Sequence, residues 1–177
     1  MSKSVAAELE LIANSLKSGD EANQQLSISA IAERIAKNLH VKADEVAILV
    51  VSEKWQYLYF LVPQALRNVG QIPLSSSSAL AARTAKESRA EIINNFSTVR
   101  HASVFEGLKA DTLTVSAIQR IISAPILADG KVIAVIQISR KGDTAAKAGP
   151  EFTSDDLGKL LAICKPLGKL IQHVARD

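Results

Sequence analysis

With 177 residues, 47% of them hydrophobic and 22% charged, the chain is sized and composed for one folded domain rather than for disorder. A net charge of +3, carried by scattered lysines without interleaved aromatic residues, is not the footprint of a nucleic-acid surface. No apolar run nears the roughly 20 residues that span a bilayer, the start is polar and acidic rather than signal-like, and the single cysteine, Cys164, allows no intrachain disulfide, so a cytoplasmic protein with no membrane partner is expected.

Val5, Leu9, Ile12 and Leu16 recur at spacings of four, three and four, which predicts an amphipathic helix over Ser4 to Leu16. A second helix is predicted from an N-cap at Ser27 to Leu39, with Ile28, Ile31, Ile35 and Leu39 on one side. Val46 to Val51 and Trp55 to Val62 are β-branched and aromatic runs separated by Ser52, Glu53 and Lys54, the pattern of a hairpin with a short loop. Gly70 to Leu74 reads as a short strand, Ser78 to Lys86 as an alanine-rich helix and Ala90 to Ile93 as a brief strand. Asn94 to Thr114 reads as irregular, with one short helix around Val104 to Lys109.

Ile118 to Leu127 and Lys131 to Arg140 form the clearest hairpin, because Asp129-Gly130 supplies the positive φ angles of a tight primed turn. A loop from Gly142 to Pro150 follows. The last helix opens with Thr153 as a cap and Asp155 and Asp156 in the first turn, where the helix dipole favours negative charge. Leu157, Leu160, Cys164, Leu167, Ile171 and Val174 then form a heptad seam, interrupted by Pro166, which should kink the helix. That seam suits either a partner helix or the chain's own sheet.

Read in order, these pieces resemble a GAF domain over roughly Leu26 to Val174. The resemblance is carried by Ser123 to Gly142 (SAPILADGKVIAVIQISRKG), by the Phe-Thr-x-x-Asp-Leu phrase at Phe152 to Leu157, and by Ile72-Pro73-Leu74 before a small-residue helix. It implies an α+β, profilin-like fold: an antiparallel sheet of five or six strands, the N- and C-terminal helices on one face and a ligand pocket on the other. Residues 1–25 would be a helical extension available for dimerisation, and residues 26–177 the domain, with its last helix over residues 153–175.

The resemblance also implies a regulatory sensor of small molecules acting in signal transduction, as a homodimer through its terminal helices. The alternative is a ligand-free structural or dimerisation module whose pocket is plugged by its own side chains. Candidate ligand-binding residues are Ser76 and Ser77, whose N–H groups and hydroxyls precede a helix and could hold an anion, and Asn94, Asn95, Phe96, Arg100, His101 and Phe105 in the segment expected to roof the pocket. Arg120 joins them because it interrupts an apolar strand. No cofactor is identified. A bilin-carrying domain of this family needs a pocket cysteine, and Cys164 lies on the seam instead; a methionine sulfoxide reductase of this family needs several cysteines, and one cannot form its internal disulfide. No pair of histidines has metal-ligand spacing, and no nucleophile motif is present, so a non-enzymatic role is expected.

Overall fold

The computed structural model describes residues 21–62, 71–77, 79–96 and 118–174. The element order is α1 (Glu21–Asn38), a 3-10 turn (Ala43–Glu45), β1 (Val46–Ser52), β2 (Tyr57–Val62), β3 (Gln71–Pro73), α2 (Leu80–Glu87), β4 (Glu91–Ile93), β5 (Ile118–Ala128), β6 (Lys131–Lys141), α3 (Ala145–Ala148) and α4 (Ser154–Val174). The helix expected over Ser4 to Leu16 and the short helix expected around Val104 to Lys109 lie outside the described residues.

All strands pair antiparallel in one six-stranded sheet, ordered β3-β2-β1-β6-β5-β4. The β5–β6 hairpin forms as the sequence demands, with Asp129 at φ 53 and Gly130 at φ 77 in a two-residue turn. The β1–β2 connection is one residue longer than expected and Trp55 is not in a strand. Ser52 Oγ accepts from Trp55 N at 3.3 Å, and Gln56, at φ 56, donates its N–H to Ser52 O at 2.9 Å, so the turn spans residues 53–56. Trp55 is left 63% exposed there.

Strand periodicity of two sends alternate residues to opposite faces. Val46, Ile48 and Val50 of β1, Ile122, Ala124 and Ile126 of β5, and Ala134, Ile136 and Ile138 of β6 form one core with Ile28, Ile31 and Ile35 of α1 and Leu160, Leu167 and Ile171 of α4. Ala47, Leu49, Leu58, Phe60, Ile72 and Val135 form another with Ala79, Ala81 and Ala82, at and just before the start of α2. Small residues let this short helix lie close against the strands. A third cluster joins Leu80 of α2 to Phe96, Ile118 and Ile121.

Two boundaries differ from expectation. Residues 21–27 are already helical, ahead of the cap expected at Ser27, so α1 is longer than its apolar face. The 142–150 connection contains a helical turn, α3, capped by Thr144, whose hydroxyl accepts from Lys147 N at 3.2 Å. α4 opens on a reciprocal box: Asp156 N donates to Thr153 Oγ1 at 3.3 Å and Thr153 N to Asp156 Oδ2 at 2.8 Å. The helix continues through Pro166, and its seam residues Leu160, Leu167 and Ile171 are wholly buried within the one chain.

Candidate functional site

Two buried polar side chains on the sheet face under α2 meet a third, Thr84, on α2 itself. Ser123 on β5 is fully buried and stands opposite Gln137 on β6, which in turn stands opposite Ala47 on β1. Gln137 Nε2 donates to Ser123 Oγ at 3.3 Å, and Ser123 Oγ lies 2.7 Å from Thr84 Oγ1 of α2. Thr84 also donates to Leu80 O at 2.9 Å, so the Ser123 hydroxyl is free to give its proton to Thr84 while receiving from Gln137. Gln137 is 9% exposed, yet its side-chain carbonyl oxygen has no donor among the described residues. A buried acceptor left unmatched costs about 1–3 kcal/mol.

Arg83 ties the middle of α2 to β4, with Nε and Nη2 each donating to the Glu91 carboxylate at 3.0 and 2.9 Å. Leu80, Phe96, Ile118 and Ile121 close the apolar side beside the polar trio. Among the described residues this is a buried, largely apolar interface between α2 and the sheet in which a few polar atoms converge. A separate open cleft of about 650 Å³ lies between α2 and the strand turns, lined by Val51, Leu74, Ala85, Lys86 and Lys131.

The sequence-derived candidates fall in different places. Ser76 Oγ accepts from Ala79 N at 3.1 Å and so shapes the entry to α2, while Ser77 is exposed beside it. Phe96 is buried in the third cluster, next to the polar trio, and Asn95 is exposed at the same bend. Asn94 is bound to the backbone of Phe152 through both ends of its amide, and the Arg120 guanidinium donates to Asn94 O and Gly149 O at 2.8 and 3.0 Å. These two therefore serve the backbone around the start of α4. Arg100, His101 and Phe105 lie outside the described residues.

Sequence reading missed Gln137, Ser123 and Thr84. The signal was present in Val135-x-Gln137-x-Ser139, where an otherwise apolar strand face turns polar, but nothing local shows that α2 buries it. Cys164 is buried in the core shared by α1, α4 and the sheet, and burial pushes its thiol up to about 12. Among the described residues no cluster of His, Cys, Asp or Glu could hold a metal ion, and no helix is long and apolar enough to cross a membrane.

An antiparallel six-stranded sheet, with the first and last described helices in one core and a short cross-sheet helix in another, is the profilin-like α+β class. The GAF domain family model matches residues 26–171, and the chain belongs to that family. Solved structures that share the fold include the following three. The GAF domain of an Acinetobacter phosphoenolpyruvate-protein phosphotransferase is 17% identical with TM-score 0.66, covering 96% of this chain and 91% of its own. The corresponding domain from Coxiella burnetii is 8% identical with TM-score 0.67, covering 95% and 93%. Free methionine-R-sulfoxide reductase from Neisseria meningitidis, solved with its substrate, is 15% identical with TM-score 0.63, covering 96% and 87%. No curated protein matched. GAF domains are commonly signalling or regulatory domains, and at these identities the likeness establishes fold alone.

Proposed function

We propose that this chain is a small-molecule-sensing regulatory domain, cytoplasmic and non-enzymatic, which takes its effector on the α2 face of the sheet. The observation that carries this reading is the buried Gln137 carbonyl oxygen, which has no donor among the described residues, beside Ser123, Thr84 and the apolar wall of Phe96, Leu80 and Ile121. The effector would present an N–H or O–H to Gln137 and an apolar body to that wall. Asn95, Arg100, His101 and Phe105, in or beside the segment that follows β4, are the further candidates for contact; Ser76 and Ser77 flank the opposite end of α2. The chain's one cysteine cannot form an internal disulfide and is held as a neutral thiol, which argues against reductase chemistry of the kind named for the Neisseria relative. A homodimer through the terminal helices would use the outward face of α4, where Leu161 is 45% exposed, because the seam is spent on the sheet.

Thermal-shift measurements against nucleotides, haem, bilins and amino acids test the reading, on the parent and on Gln137→Met. One class is expected to raise the parent melting temperature by several degrees and to lose that effect in Gln137→Met, whose ligand-free stability should equal or exceed the parent's. The competing reading is a plugged structural module. It draws on the direct packing of Ala79, Ala81 and Ala82 over Leu49, Phe60 and Val135. No shift with any class, together with a stabilised Gln137→Met, would establish that module instead.

A further inference from the structure

Two arginines on neighbouring strands bind backbone carbonyls and no carboxylate among the described residues. Arg120 of β5 and Arg140 of β6 stand directly opposite each other in the antiparallel register. Arg140 is 6% exposed; its Nη1 donates to Pro150 O at 2.6 Å and its Nη2 to Leu39 O at 3.2 Å, and its guanidinium carbon sits 4.4 Å from the Phe152 ring centroid. Arg120 donates to Gly149 O and Asn94 O. Asn94 closes the circuit: its Oδ1 accepts from Phe152 N at 2.8 Å and its Nδ2 donates to Phe152 O at 3.1 Å.

The circuit joins three chain segments far apart in sequence. Leu39 O lies just past the end of α1, where the helix dipole places negative potential that suits a guanidinium. Residues 149–152 lead directly into α4. Asn94 is the exit of β4, and two residues later Phe96 packs with Leu80, Ile118 and Ile121 beside α2. Between Asn94 and Phe96 the chain therefore passes from the core of α1 and α4 to that of α2. With no carboxylate partner among the described residues, these guanidinium groups give their hydrogen bonds to carbonyls, so the clamp's strength depends on where those three backbones sit.

We propose that this clamp transmits a change at the Phe96 side of the sheet to the ends of α1 and α4. Displacing Phe96 pulls on Asn94, the paired amide bonds to Phe152 open, Phe152 leaves the Arg140 face, and the carbonyls of Leu39 and Pro150 lose their common donor. The start of α4 and the end of α1 then loosen together. This regulation rests on the sensor reading above, because an effector beside Phe96 is what would move it.

Hydrogen exchange followed by mass spectrometry tests the clamp without any effector, on Phe96→Ala, Asn94→Ala and the double variant, with Phe96→Leu as the milder form should Phe96→Ala not fold. In Phe96→Ala, or in Phe96→Leu, amides of residues 152–157 and 39–41 are expected to exchange at least tenfold faster than in the parent, while Ile31 to Ile35 stay protected. In the Asn94→Ala background the same change should add nothing at those positions. Faster exchange confined to Leu80, Ile118 and Ile121, or effects of the two substitutions that simply add, would overturn the clamp as a transmitter. Failure of every compound class in thermal shift would count against the sensor and leave this exchange result standing, so the two ideas fail separately.

Discussion

Cys164 shows how one residue's chemistry follows from its surroundings. Its spacing on the last helix marks it as a core position, and the structure buries it among the side chains of α1, α4 and the sheet. Burial disfavours the thiolate and pushes the thiol from 9.0 up to about 12. For an acid whose folded pKa is raised, the folded chain keeps its proton where the unfolded chain loses it. Its contribution to stability is thus complete below pH 9 and declines between about 9 and 12. Native protein at pH 8 is expected to resist a thiol-labelling reagent and to react at once in denaturant; rapid native labelling would show that the site is open. Asn94 and Arg120 teach the complementary lesson. Arg120 was legible as a charge in an apolar strand and Asn94 as a polar residue after β4, but their partners, the carbonyls and N–H of residues 29 and 58 positions away, were not.

At the scale of an element, α4 carries two glycines with opposite roles. A Cβ added at Gly168 would stand 2.5 Å from Leu127 O, a backbone atom that cannot swing aside, so glycine lets the helix lie directly against β5. A Cβ at Gly158 would meet nothing within 4 Å. Gly168→Ala is expected to destabilise the fold by about 1–3 kcal/mol through overpacking, and Gly158→Ala to stabilise it by about 0.5–1 kcal/mol through helix propensity. Denaturant titration of both variants checks the pair; equal effects would mean that α4 does not approach β5 so closely. The β1–β2 turn belongs at this scale too. Strand propensity alone assigns Trp55 to β2, and a single hydroxyl, Ser52 Oγ, diverts its N–H into the turn.

For the whole molecule, the decisive fact is that the seam residues Leu160, Cys164, Leu167 and Ile171 of α4 are buried within one chain. Leu167→Lys places an ammonium in a site with no exposure, and it should cost more than about 4 kcal/mol and abolish the cooperative thermal transition. Leu161→Lys, on the exposed side of the same helix, should leave circular dichroism unchanged and convert a dimeric parent to monomer in sedimentation equilibrium. A folded Leu161→Lys protein that sediments like a dimeric parent would remove this face of α4 from the interface.

The sequence by itself determined the strands, the primed turn at Asp129-Gly130, the capped last helix and the order that defines the family, because each rests on periodicity or on backbone preferences within a few residues. Only the tertiary structure decided that the seam faces its own sheet, that α2 buries Gln137, Ser123 and Thr84, and that Arg120, Arg140 and Asn94 gather around Phe152. Those outcomes depend on which distant surfaces meet. A residue's own neighbours along the chain fix its conformation, while burial and hydrogen-bond partners are set by segments that only folding brings together.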